Sequence, residues 1–243
     1  MSRGPAPLPL IAPPAWLGTP LGQPRATRAP GPLPEPGEGS KAPSPDERKL
    51  LDIKELLKKS ATGAAAVKFM EDKSVNIEFA SGGGSFWDGT KMVIDRTYST
   101  AQAALDVVHE VNHTRTTLAG TTPDIMKLTR DDYVKARLEE EARGTVDSIK
   151  TKNELVAGGT AITTVYTREA EYNAAYKKAT EDLAKADPKA TAADLKAAGE
   201  KAGSDAVLKG FTDGSVLTGT RPPTPYPEYY RKDWDKFHPA PAK

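Results

Sequence analysis

Residues 99–116 read STAQAALDVVHEVNHTRT, and this stretch is the most informative part of the sequence about the fold. Ser99 followed by Gln102 is a capping box, which predicts a helix from about residue 100 to 116. At about 100° per residue, one face of this helix is largely apolar. That face carries Ala101, Ala104, Leu105, Val108 and Asn112, and the other side carries Asp106, His109, Glu110 and His113. The apolar face can therefore pack while the polar side holds the residues capable of chemistry.

The polar side of this helix has the spacing of a metal site. Residues four apart lie one above the other on a helix, so His109 and His113 can bind one tetrahedral ion. Glu110 is rotated away from both imidazoles, so it can reach a water at the metal without binding the metal. The chain has three histidines, and two of them belong to this HExxH pattern. The alternative is a pair of solvent-exposed histidines on a surface helix.

The segment Leu105–His113, LDVVHEVNH, resembles the active-site helix of the zincin metallopeptidases. The preceding hairpin strand, residues 91–95, is also similar to that superfamily. The resemblance covers residues 74–150 at most. It implies a zinc ion held by His109 and His113, Glu110 as general base, and an edge strand that binds extended substrate. The metzincin extension is absent, because no His or Gly follows His113 at the required spacing.

A third ligand must come from another part of the chain. In the gluzincins, the zincins whose third ligand is a glutamate, that residue lies on a second helix and is often followed by small residues. Thr129 with Asp132 predicts the start of such a helix here. Its expected buried face carries Val134, Leu138, Ala142, Thr145, Val146 and Ile149.

Three glutamates in this second helix are candidates for the third ligand. Glu140 points away from the apolar face and is set aside. Glu139 and Glu141 flank that face on opposite sides, and each fits a pattern of glutamate followed by a small residue three positions later. Glu141 is preferred, with Gly144 as the small residue, and a solvated acidic surface is the alternative for all three.

The elements before the HExxH helix predict an α+β fold. Ser44-Pro45-Asp46-Glu47 predicts the start of a helix that continues to about residue 59. Val75, Ile77 and Phe79 alternate with polar residues as in a half-buried strand. Asp88-Gly89 between two short apolar runs is typical of a hairpin. We therefore expect a small antiparallel sheet, then the zincin-like active-site helix, then further helices, in one domain over residues 46–243.

Residues 1–45 differ in composition from the rest of the chain. They contain 13 of the 21 prolines and no acidic residue before Glu35, which predicts a disordered leader. Prolines interrupt its apolar stretch, so it is a poor secretory signal. Together with the absence of cysteine, this leader resembles those of bacterial effectors that a secretion or injection machine delivers. For residues 1–45 a disordered linker is the first interpretation, and a leader that binds such a secretion or injection machine is the alternative.

The overall composition narrows the function classes. The net charge is +1 without a basic block, which argues against a nucleic-acid partner. No apolar run approaches the roughly 18 residues of a membrane span. Without cysteine, a metal site must use histidines and carboxylates, and the compartment is left open.

These observations favour a zinc-dependent metallopeptidase that acts on a protein or peptide substrate. Two alternatives remain: a catalytically inactive zincin-like binding module, and a zinc amidase acting on cell-wall peptides.

Several residues outside the motif have open roles. Asp106 is expected to be an ordinary exposed residue, with a contact to a metal ligand as the alternative. Tyr98, Tyr133, Tyr166 and His238 are the candidates for stabilising a developing oxyanion, and the sequence does not choose among them. The aromatic segment 226–234 is expected to pack on the domain, with lining of a substrate cleft as the alternative.

Overall fold

The computed structural model describes residues 42–219 and 222–239. Within these ranges the chain is mostly helical, with one small sheet, so the expected α+β class is confirmed at that level. The leader predicted for residues 1–45 falls largely on residues 1–41, which lie outside the described residues. The elements, in chain order, are α1 (Pro45–Leu57), α2 (Ala61–Asp72), β1 (Ile77–Ala80), β2 (Phe86–Trp87), β3 (Met92–Asp95), α3 (Thr100–Leu118), α4 (Arg130–Ala157), α5 (Glu169–Ala186), α6 (Ala192–Thr212) and α7 (Tyr226–Phe237).

The three helix starts predicted from capping residues are confirmed. The Ser44 side chain accepts from the backbone of Glu47, whose side chain accepts from Ser44 in return. The side chains of Ser99 and Thr129 cap α3 and α4 by accepting from the backbone N–H three residues later. These hydrogen bonds satisfy donors that have no partner within their own helix.

The sheet is mixed, and the prediction of an antiparallel sheet is wrong for one of its strands. β2 and β3 form the expected antiparallel hairpin, but β1 pairs with β3 in parallel, in the order β1-β3-β2. The segment 81–85 therefore crosses the end of β3 and does not make a tight turn back along β1. The Asp95 carboxylate at the end of β3 holds this crossing by accepting from the backbone N–H of Gly82 and Gly84.

The strand order also corrects the expectation attached to residues 91–95. These residues form the central strand, because β1 and β2 flank it on both sides. They cannot pair with an extended substrate as an edge strand does. β2 is the edge strand of the hairpin, and it is only two residues long.

Helix α3 contributes residues to two separate clusters of buried apolar side chains, which form the core. On one side it packs against α1, α2 and β3, and on the other against α4. Helix α4 in turn contacts α2, α3, α6 and α7, so most of its circumference is covered. The antiparallel helices α5 and α6 pack on α4, mainly through α6. Among the described residues, no helix is long and apolar enough to cross a membrane.

Candidate metal centre

The HExxH residues lie in the interior of the protein. Residues 102–114 of α3 are all buried, because α4 packs on the polar side of this helix. His109 and His113 are 1% and 3% exposed. This burial excludes the alternative of two solvent-exposed histidines on a surface helix.

The structure brings together His109, His113 and Glu141, whose ligand atoms all lie within 4.8 Å of one another. The two imidazole Nε2 atoms are 3.2 Å apart, and Nε2 of His109 is 3.2 Å from Oε2 of Glu141. Two nitrogens bound to one tetrahedral zinc ion are separated by about 3.4 Å. These three residues can therefore hold a metal ion.

The charges around this centre also fit a cation. Glu110, Glu140 and Glu141 are buried carboxyl groups, and the buried Arg137 guanidinium forms a salt bridge with Glu140. Charges buried without compensation are costly. Without an ion, the proton on His113 supplies positive charge beside Glu140 and Glu141, and a divalent cation would take its place.

The contacts of the glutamate cluster select Glu141 over its neighbours. Glu141 reaches both imidazoles, at 3.2 Å from His109 and 3.8 Å from His113. Glu139 is only half-buried and lines a groove of about 310 Å³ on another side of α4. The metal-binding group and this groove share no residue.

Gly144 explains the small residue that follows Glu141. A Cβ at this position would come within 2.9 Å of Nδ1 of His109. The glycine therefore lets the imidazole lie directly on α4, one turn after the glutamate that it meets. The corresponding small residue for Glu139, Ala142, lines the groove and not the metal centre.

Glu140 is not part of the metal-binding group, as the sequence predicted, but the expectation that it points away from the buried face of α4 is wrong. The residue is 1% exposed, and its Oε1 lies 2.9 Å from Nδ1 of His113. The helical projection assumed one buried stripe, but α7 and α3 cover α4 beyond that stripe. A carboxylate at the outer nitrogen of a metal-binding histidine fixes the tautomer and the orientation of the ring.

Asp106 is also buried, contrary to its expected exposure. Its carboxylate accepts from Gln102 at 2.6 Å and from Ser85 at 3.0 Å. Burial raises the pKa of Asp106 to about 7, despite these two hydrogen bonds. The hydrogen bond with Ser85 joins Asp106, and with it α3, to the segment before β2.

Glu110 is buried on α3, and its carboxyl group contacts β2. Its Oε2 accepts the backbone N–H of Trp87 in β2 at 2.9 Å. Burial raises the pKa of Glu110 to about 8, against the opposing effect of His113. A nearby cation would favour the ionised form of this carboxylate and lower that pKa.

The candidate ligands change one another's pKa values. Burial by itself lowers the pKa of His113, but Glu141 and Glu140 outweigh it and raise that pKa to about 10. Burial raises the pKa of Glu141, yet His113 and His109 hold it well below its usual range. A metal ion must displace the proton from His113, so its binding releases protons.

Tyrosines contributed by α7 and by the segment before α5 lie next to this centre. Tyr230 donates to Oε1 of Glu141. Burial raises the pKa values of Tyr166 and Tyr226 well above the usual range. The negative charges of Glu110 and Glu141 raise both pKa values further. The Tyr226 hydroxyl has no hydrogen-bond partner among the described residues. Segment 226–234 thus packs on the domain, and it does so at the metal centre.

The four candidates for oxyanion stabilisation lie in different parts of the structure. Tyr166 is the one placed near Glu110 and Glu141. Tyr133 donates to Asp233, His238 stacks on Trp234, and Tyr98 packs with the residues of the sheet. Sequence reasoning missed Tyr226 and Tyr230. Their i, i+4 spacing, continued by Asp233, places them on one helical face and could have indicated a shared buried environment.

Comparisons of the chain with protein-family models, with curated proteins and with solved structures found no match.

Proposed function

We propose that this protein is a zinc-dependent metallopeptidase, with the ion held by His109, His113 and Glu141. The observation that carries the proposal is the convergence of the two Nε2 atoms and the Glu141 carboxylate, with Glu110 buried on the same helix as the two imidazoles. Nitrogen and oxygen donors of this kind, without thiolates, are typical of catalytic zinc sites. When bound, zinc would polarise a carbonyl and lower the pKa of a water.

Glu110 would act as the general base. Its Oε2 is held by the Trp87 N–H, which fixes the carboxylate beside the ligands. In this role Glu110 takes a proton from the attacking water and later returns it to the departing amine. The neighbouring phenols of Tyr166 and Tyr226 keep their protons, so each can donate to the carbonyl oxygen as negative charge develops on it.

The burial of the centre sets a condition on this activity. The metal-ligating side chains and Glu110 are at most 3% exposed. A peptide can reach them only after a covering element has moved. Helix α7 contacts the centre through Tyr230 and is one such covering element.

The same burial favours a second candidate, a non-catalytic zincin-like module that uses the ion to stabilise its fold and binds a partner elsewhere. Structural zinc sites are closed to solvent and keep no open position. Glu110 distinguishes the two functions, because a structural site has no use for a general base.

The test compares Glu110→Gln with Glu139→Gln, which makes the same chemical change in the groove and away from the centre. Both variants should bind one zinc per chain as the wild-type protein does. Glu110→Gln should lose about 10²- to 10⁴-fold in the rate of cleavage of denatured protein, and Glu139→Gln should lose little. Equal rates for Glu110→Gln and the wild-type protein would overturn the assignment of the base.

Two further outcomes are informative. Cleavage of peptidoglycan fragments in place of denatured protein would identify a zinc amidase. Stoichiometric zinc without cleavage of either substrate would support the non-catalytic module.

A further inference from the structure

Arg137 is a fully buried arginine on α4, one turn before the glutamate cluster. It is 1% exposed, although a guanidinium is among the groups most costly to remove from water. Two sets of its contacts lead toward the metal centre, one through Glu140 and one through Tyr230.

The first direction passes through Glu140. Nη1 of Arg137 donates to Oε2 of Glu140 at 2.5 Å, and Oε1 of the same carboxylate lies 2.9 Å from Nδ1 of His113. The hydroxyl of Thr116 donates to Oε1 at 2.7 Å. Because Nδ1 is engaged on this side, the ring of His113 presents Nε2 to His109 and Glu141.

The second direction passes through Tyr230 of α7. The Arg137 guanidinium lies over the Tyr230 ring, 5.0 Å from its centroid, and Nη2 is 3.4 Å from the hydroxyl oxygen. That hydroxyl donates to Oε1 of Glu141. The other oxygen of Glu141, Oε2, is the one that faces Nε2 of His109.

We propose that Arg137 is the positioning residue of the metal centre, orienting His113 through Glu140 and Glu141 through Tyr230. One planar guanidinium thereby fixes two of the three metal-ligating groups, and it ties α7 to the same point. A buried ion pair contributes little to stability by itself. Orientation of the ligands therefore explains the presence of the Arg137–Glu140 pair better than a contribution to folding stability does. The proposal rests on the proposed metal centre.

The experiment measures metal binding and not cleavage. Zinc affinity is determined by competition with a chromogenic chelator, and the geometry of the site by the visible absorption spectrum after loading with cobalt(II). The variants are Arg137→Met, Arg137→Lys and Tyr230→Phe. Arg130→Met is the matched control, because Arg130 also lies on α4 and pairs with Asp235 of α7, but at the surface. Circular dichroism and thermal melting report the fold.

We expect Arg137→Met to weaken zinc binding about 10- to 100-fold and to change the cobalt spectrum, as does loss of groups that orient ligands. Tyr230→Phe removes one hydroxyl without changing the packing, and it should change the same two readouts by a smaller amount. Arg137→Lys keeps the charge at Glu140 but not the fork that also reaches Tyr230, so its affinity should be intermediate. Arg130→Met should match the wild-type protein.

Wild-type affinity and spectrum in folded Arg137→Met, or in Tyr230→Phe, would overturn the proposal. If Arg137→Met does not fold, Arg137→Met/Glu140→Gln removes the buried charge of both partners. This double variant should bind zinc more weakly than Glu140→Gln alone, and equal affinity would mean that Arg137 only neutralises Glu140. A wild-type protein that binds neither ion would overturn the metal centre itself, and this proposal with it.

Discussion

The two sides of α3 face regions of opposite character. The aliphatic core, between α3, the sheet, α1 and α2, is built from buried apolar residues that include Leu57, Ile94 and Val107. The polar interior, between α3, α4 and α7, contains His109, His113, Arg137, Glu140, Glu141, Tyr230 and Asp233, all buried, next to a second apolar cluster that includes Leu138 and Ile149. The first region gains stability from removal of apolar surface from water, whereas the second must offset the desolvation of its charges.

This contrast assigns different roles to the two regions. Buried ionisable groups with shifted pKa values cluster at functional sites, and hydrophobic residues of similar volume would stabilise such an interior at least as well. The aliphatic core therefore fixes the position of α3, and in the proposed function the polar interior supplies the metal-binding groups on that fixed helix. Variants in the two regions should change different measured quantities.

The largest effect is expected at a metal-binding residue in the polar interior. Glu141→Ala should weaken zinc affinity more than 100-fold, beyond the 10- to 100-fold typical of residues that only orient a ligand. Glu139→Ala, two residues away on the same helix, should change it little, because Glu139 lines the groove on another side of α4. Chelator competition measures both affinities. If Glu139→Ala is the variant that loses zinc, the placement of the two glutamates on α4 is wrong.

A truncation in the aliphatic core should have the opposite signature. Leu57 is fully buried between α1 and its neighbours, so Leu57→Ala should lower the free energy of unfolding by about 2–5 kcal/mol. Urea titration of the metal-free protein measures this change. Zinc affinity of the folded variant should stay within a few-fold of wild type. A drop comparable to that of Glu141→Ala would show that the two regions are not independent.

Measured per pH unit, the smallest effect is a difference in pH dependence at Asp106, where the two regions meet. Burial raises the pKa of Asp106 from 3.8 to about 7. Between about pH 4 and 7 the unfolded chain has lost this proton and the folded chain keeps it, so stability falls as pH rises through that window. The contribution has a slope on the order of 1 kcal/mol per pH unit.

Asp106→Asn cannot titrate and should lose this part of the slope. Urea titrations of the metal-free proteins at several pH values across the window measure the difference. Asp205→Asn, an exposed aspartate on α6, is the control and should keep the wild-type slope. A slope in Asp106→Asn as steep as that of the wild-type protein would show that Asp106 does not hold its proton in the folded state.

The sequence predicted the local features well because they depend on neighbouring residues. The caps Ser44, Ser99 and Thr129 act over three positions, and the Asp88-Gly89 hairpin closes over a few more. It failed for β1, whose parallel pairing with β3 depends on where the crossing segment is held. Asp95 holds this segment by hydrogen bonds to Gly82 and Gly84, which lie 13 and 11 positions earlier in the chain. No local sequence pattern predicts these hydrogen bonds.

Within the metal centre, the sequence by itself determined the spacing of His109, Glu110 and His113, because helical geometry alone brings residues four apart to one side. It also limited the third ligand to neighbouring glutamates on a second capped helix. Only the tertiary structure brought Glu141 to the imidazoles, buried Glu140 against His113, and placed Arg137 and Tyr230 behind them. The physical reason is that burial depends on how many elements surround a helix. A projection of α4 assumes one covered face, while α3, α6 and α7 cover most of its circumference.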